Sequence, residues 1–255
     1  MAYISKEEKK IPIDDPTGKW TDLTLLPEWE EKFYNVYTAK KHGKWVMLKA
    51  LKPQYASDPK YTEMIEREFD TRFNLAHPNI VMVNDFEEIP GLGMAIITDD
   101  VYGYSLRRLI DEKRLTPKIL YRLQTQLLDA MDYIQENHII HHPITPETII
   151  FTEYTENLKL IDVGYDQSDS LSPQDTRDDI RSYGKVLDEV LDNLPTKLPR
   201  LRRIAEKCES DKGYSSIPAV RLDIERRNSG QIYLFISIFI LLLSCLLVWL
   251  SLRGA

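Results

Sequence analysis

Residues 131–151 read MDYIQENHIIHHPITPETIIF, and residues 158–164 read LKLIDVG. The first part closes a helical pattern. Leu120, Leu123, Leu127, Leu128, Met131 and Ile134 fall on one face of a helix expected over 116–137, with Pro117 in its first turn. Two short strands follow, Ile149–Thr152 and Leu158–Ile161. Between helix and strands lies His141–Thr148, which holds two prolines and no helical period.

Working outward, the upstream chain is β-rich. Phe33–Ala39 and Lys44–Ala50 read as two strands around a turn at Lys40–Gly43, a hairpin. Ile65, Phe69 and Phe73 recur at helical spacing over 58–75, and Val81–Phe86 and Met94–Thr98 read as further strands separated by Pro90–Gly93. From Ser105 the pattern turns helical, with Leu106, Leu109 and Ile110 on a short helix. Downstream, helices are expected over 178–191, 198–208 and 218–227. The order is that of an α+β fold of two lobes, a small β-rich lobe with one helix (about 20–98) and a larger helical lobe (about 102–228). Residues 1–19, polar and without period, read as a flexible arm.

Length and composition agree with this. The chain has 255 residues, 43% hydrophobic and 29% charged, which supplies a core and excludes collagen-like, wholly disordered and disulfide-scaffold chains. A net charge of −7 argues against nucleic acid as a partner, since such binding needs a basic face. The two cysteines, Cys208 and Cys245, read as lying in different environments, so no disulfide framework is expected.

The C-terminal end has its own character. Ile232–Leu252 is a run of 21 residues without a charge. As a helix it spans about 32 Å, close to the hydrocarbon core of a bilayer at about 30 Å, and is expected to be a transmembrane helix. Lys212, Arg221, Arg226 and Arg227 precede it and only Arg253 follows, so the positive-inside rule keeps residues 1–230 in the cytoplasm. The expectation is a single-pass, C-terminally anchored membrane protein. Ser237 and Ser244, one heptad apart, could face each other's copy in a homodimer.

The ordered motifs resemble those of a eukaryotic-type (Hanks-type) Ser/Thr protein kinase domain over roughly residues 23–227. Val46-Met47-Leu48-Lys49 looks like the strand whose lysine holds the α/β-phosphates of ATP, and Glu68 stands where its glutamate partner belongs on the following helix. Thr98-Asp99-Asp100-Val101 resembles the gatekeeper and hinge. His141–Thr148 has the frame of the catalytic loop, Asp162-Val163-Gly164 resembles the metal-binding D-F-G motif, and Asp179–Gly184 resembles the D-x-x-S-x-G helix start of the lower lobe. The resemblance implies a candidate nucleotide site at Lys49, Glu68, Asp99, Val101 and Asp162. There Asp162 would be the metal ligand if Mg-ATP binds.

Departures from the family pattern fall on its chemistry. The catalytic aspartate position is Pro143, the loop lysine is Thr145 and the second-metal asparagine is Thr148, while His141, Pro146 and Glu147 remain. Losing a positioned general base costs about 10²–10⁴ in rate. The glycine-rich phosphate loop aligns with Trp29, Glu31 and Tyr34, so that a carboxylate stands where backbone N–H groups would approach a polyanion. Met47 replaces the alanine that would line the adenine site. Asp162 and Asp179 are only 17 positions apart, a short activation segment with no A-P-E, whose nearest string is Ser172-Pro173-Gln174.

His138, His141 and His142 fit no zinc-helix spacing, and His141 is better explained as the loop histidine. Cys208 reads as a small buried apolar residue, Trp45 and Tyr102–Tyr104 as core or hinge packing, and Asp175–Asp179 as a solvated face and helix start. The expected function is that of a membrane-anchored pseudokinase acting as scaffold or allosteric regulator of an unknown protein partner. A divergent active kinase and a nucleotide-binding sensor without turnover are the alternatives.

Overall fold

The computed structural model describes residues 9–161, 163–226 and 237–241. Its elements are β1 (Lys9–Lys10), β2 (Trp20–Leu25), β3 (Tyr34–Lys41), β4 (Lys44–Leu51), α1 (Pro59–Phe73), β5 (Val83–Ile89), β6 (Gly93–Asp99), β7 (Gly103–Ser105) and α2 (Leu106–Asp111). Then come α3 (Pro117–Arg122), a π-helical turn Leu123–Leu127, α4 (Leu128–Glu136), β8 (Ile139–Ile140), β9 (Ile149–Thr152), β10 (Leu158–Leu160), β11 (Asp166–Gln167), α5 (Pro173–Asp192), α6 (Pro199–Glu209) and α7 (Ile217–Glu225).

The upper lobe is an antiparallel sheet in the order β1-β2-β3-β4-β6-β5. Its central hairpin turns at His42 and Gly43, with φ of 49° and 82°, the two left-handed residues that a tight hairpin turn requires. Register places Val36 opposite Lys49, Met47 opposite Thr98 and Lys49 opposite Ile96. Side chains alternate across a sheet, so Met47 and Lys49 share one face. Val46, Leu48 and Ala50 share the other, in a core with Trp20, Leu23 and Tyr37. α1 starts at Asp58, whose carboxylate accepts from the Lys60 N–H, with Pro59 in the first turn. It buries Ile65, Glu68, Thr71 and Arg72 against the sheet side that carries Lys49.

The lower lobe packs α2–α7 around one apolar core that includes Leu106, Leu127, Met131, Tyr183 and Val186. α5 and α6 approach so closely at Gly184 that a Cβ there would lie 2.7 Å from the Cβ of Cys208. Cys208 is buried as expected, and burial pushes its thiol up to about 12. The lobes are stitched behind the cleft. Ile80 pairs with Leu160 in a parallel bridge, the Val81 N–H donates to the Leu160 carbonyl at 3.0 Å, and the Asn79 amide donates to the Leu158 carbonyl at 2.9 Å.

The structure differs from the sequence reading in several elements. Residues 9–13, expected as part of the flexible arm, are held to the sheet: β1 pairs with Thr24 and Leu25, and Ile11 and Ile13 pack on the core. β2 was not anticipated. A register shift between Thr21 and Thr24, with Asp22 at φ 56°, breaks the period-2 pattern by which a strand is recognised. α5 begins at Pro173, five residues earlier than expected, because Ser172 and Asp175 form a reciprocal capping box. The apolar stretch 232–252 lies outside the described residues except for 237–241, which are helical and exposed. Among the described residues no helix is long and apolar enough to cross a membrane.

Candidate functional site

Between the lobes, β4 and α1 bring together Lys49 and Glu68, the two residues that the resemblance pairs. Lys49 Nζ lies 2.9 Å from Glu68 Oε1, and the two residues are 7% and 2% exposed. Two further groups join them. Arg72 Nη1, one helical turn along α1, also lies 2.9 Å from Glu68 Oε1. Glu31 Oε2 reaches Lys49 Nζ at 2.8 Å from the loop between β2 and β3. Among the described residues the cluster brings together the cations Lys49 and Arg72 and the carboxylates Glu31 and Glu68. The ring of Tyr34 covers the ammonium, with its centroid 4.4 Å from Nζ, and burial raises the pKa of its hydroxyl above the ordinary phenol range.

The loop that delivers Glu31 is built to close. Pro27–Trp29 forms a single 3₁₀ turn, and the Leu26 N–H donates to the Val36 carbonyl. Glu30 pairs with Lys52 at 2.5 Å, and the Glu31 N–H donates to the Tyr34 carbonyl at 3.1 Å. Thus two of the three positions aligned with glycines, Glu31 and Tyr34, put side chains on the lysine that the resemblance assigns to phosphate. A polyanion at Lys49 would compete with the carboxylate of Glu31. Met47 lies two residues from Lys49 on the same face, in register with Thr38 and Thr98.

The loop His141–Thr148 keeps a fixed shape through local bonds. The Thr148 hydroxyl donates to the Thr145 carbonyl at 3.1 Å and accepts from the Thr145 N–H at 3.2 Å, so it is spent within the loop. Glu147 is clamped by Arg107 Nε at 2.7 Å, and Arg107 also pairs with Glu189 of α5 at 2.5 Å. Burial alone would raise the Glu147 pKa, but the bond from Arg107 holds it below the usual carboxylate range. His141 Nε2 lies 3.0 Å from Asp179 Oδ1, and the Gln135 amide donates to the other oxygen of Asp179 at 2.9 Å. Asp179 is therefore an anchor for the loop and not part of a solvated face. Pro143 is exposed and brings no acid, base or ligand to the centre of this frame.

Asp99 and Val101 sit at the hinge, where Asp99 accepts from Lys44 Nζ and from the Asn84 amide, both at 2.9 Å. Burial opposes ionisation of Asp99, but those two bonds hold its pKa low. Asp162 lies outside the described residues. Next to it, Val163 is buried and Gly164 has φ 82°, with room so tight that a Cβ would lie 3.0 Å from Ile139 Cγ2. His142 packs on the Tyr165 ring at 4.7 Å, away from His141's partner, and no group of three metal-ligating side chains forms among the described residues. Sequence reasoning placed Glu31 at a glycine position but missed its bond to Lys49. Arg72 was findable, because Glu68 and Arg72 have the i,i+4 spacing of a helical ion pair.

A family model described as protein kinase domain matches residues 32–181. The chain is 32% identical over 135 residues to the serine/threonine-protein kinase PknD of Mycobacterium tuberculosis. It is 30% identical over 133 residues to the serine/threonine-protein kinase PrkC of Bacillus subtilis. Both matches cover 51% of this chain but 19% and 20% of those relatives, so the chain corresponds to about a fifth of their length. The crystal structure of the Mycobacterium tuberculosis PknI kinase domain aligns with a TM-score of 0.58 at 19% identity, over 79% of this chain and 94% of that one. At that identity the likeness is one of fold.

Proposed function

The chain belongs to the protein kinase domain family, and from that premise we propose that it is a membrane-anchored pseudokinase, a scaffold or allosteric regulator for a protein partner at a membrane surface. The observation that carries this reading is Pro143. It stands at the position of the family's catalytic aspartate, in a loop where Thr148 is bonded to the Thr145 backbone and Glu147 to Arg107 of α2. A phosphoryl-transfer enzyme works by positioning and by charge stabilisation. Here the base is gone, the Thr148 hydroxyl is turned inward, and the phosphate-binding lysine is held by Glu31 as well as Glu68. The residues present do not fit Mg-ATP as the family binds it, so no transfer step is assigned to them.

The apolar run 232–252 supports the anchor, and its flanking cations support a cytoplasmic domain. Confinement to a surface raises the domain's effective concentration toward other membrane proteins, which suits a scaffold. A second reading, a nucleotide sensor or divergent Ser/Thr kinase, draws support from the intact Lys49–Glu68 pair at 2.9 Å. Calorimetry with ATP, with and without Mg²⁺ or Mn²⁺, separates the two. The pseudokinase reading expects no heat at millimolar ATP for the unaltered chain. It also expects binding to strengthen at least about tenfold in Glu31→Ala, the equivalent of about 1.4 kcal/mol. Binding by the unaltered chain that disappears in Lys49→Ala would favour the sensor.

A further inference from the structure

An opening lies between the lobes at the hinge, with a volume of about 730 Å³. Its roof is the start of β4, with Trp45; its side is the hinge, with Asp100 and Tyr102; its floor is the β9–β10 turn, with Glu153 and Tyr154. None of Glu31, Lys49 and Glu68 lines it. The size suits a ligand pocket, but the rim is unusual. Met82, Tyr102 and Tyr154 are 49%, 40% and 90% exposed, three large apolar side chains from three separate elements around one mouth. Aromatic and methionine side chains are enriched where proteins meet.

The turn that presents Tyr154 is rigidly built. The Thr152 and Thr155 hydroxyls bond at 2.8 Å, and the Asn157 N–H donates to the Thr152 hydroxyl at 2.9 Å. The Leu158 N–H donates to Gln126 of the π-helical turn at 2.8 Å, and the Glu153 N–H donates to the Tyr102 carbonyl at 3.0 Å. A tyrosine held out into water on a fixed turn gains nothing for the fold, because its ring stays hydrated. The charges on the wall give the occupant's sign. Asp99, Asp100 and Glu153 face Lys44 and Lys159. Asp99 is taken by Lys44, whereas neither Asp100 nor Glu153 forms an ion pair among the described residues.

We propose that this cavity is a docking site for a short segment of a partner protein that presents an arginine or lysine beside a large apolar side chain. The apolar side chain would enter between Trp45 and Tyr102, and the cation would meet Asp100 and Glu153. The site takes none of the Lys49 cluster and shares only the hinge residues Asp99 and Val101 with the candidate nucleotide site. The test is to pan a phage-displayed library of random nine-residue peptides on the full chain in detergent micelles. The enriched sequence is then made as a fluorescent peptide and titrated by anisotropy. Enrichment of basic residues next to aromatic or long aliphatic ones is expected. Affinity should fall at least tenfold in Tyr154→Ser and in Glu153→Lys, both exposed positions whose substitution leaves the thermal midpoint unchanged. Enrichment of acidic peptides, equal enrichment on the double variant, or affinity unchanged in both single variants would overturn the proposal.

Discussion

Glu68 is the residue on which the interior of the site depends. Its carboxylate is 2% exposed and satisfies both Lys49 and Arg72. Breaking a buried ion pair from one side costs about 3–5 kcal/mol, and the carboxylate of Glu31, which stays on Lys49, sets the lower end of that range here. Glu68→Ala should therefore lose about that much in a urea titration, and Glu31→Ala distinctly less, because Glu31 reaches the cluster from a partly exposed loop. His77 gives a pH test. Its Nδ1 accepts from the Asn79 N–H at 3.2 Å, its ring packs on Tyr133, and burial holds its pKa below the ordinary 6.5. The unfolded chain then binds the proton first as pH falls. The contribution is full above 6.5 and disappears as pH drops through the lower folded value. The loss of stability between about pH 7 and pH 5 should be smaller in His77→Asn, which keeps an acceptor without titrating in that range.

At the scale of elements, what could be read in the sequence followed local chemistry. Lys49 and Glu68 were legible because each sits in a motif on its own strand or helix, whereas the register of β4 against β6 came only with the structure. β2 was hidden by its bulge, and the early start of α5 was overlooked although Ser172-Pro173-Gln174-Asp175 is a capping signal. The bond from Glu31 to Lys49 was out of reach of sequence patterns, because it depends on how a loop without glycine folds back over β4. The cap can be tested directly. Ser172 accepts from the Asp175 N–H at 3.2 Å, and Asp175 returns a bond to the Ser172 N–H at 2.9 Å. Ser172→Ala should cost about 1 kcal/mol, read as a shift in the urea midpoint at unchanged slope. Ser172→Asp, which can still cap, should recover most of it.

At the scale of the whole molecule, two lobes joined at Ile80–Leu160 keep the shape of a kinase around a loop that is held to α5 through Asp179 and carries Pro143 at the base position. That combination suits a protein whose surfaces, and not its turnover, are its function. The proposed anchor makes a separate prediction: the full chain should stay in the membrane fraction through alkaline carbonate extraction, and a chain ending at residue 230 should be released. Release of the full chain would remove the membrane from the account. The central claim is lost chemistry within a kept fold, and transfer of labelled γ-phosphate from ATP tests it most directly. The full chain would be incubated with Mg²⁺ or Mn²⁺ and with itself or a generic protein substrate, beside Lys49→Ala and Asp162→Ala. The account predicts no incorporation above that of the two variants. Incorporation by the unaltered chain that both variants abolish would contradict it.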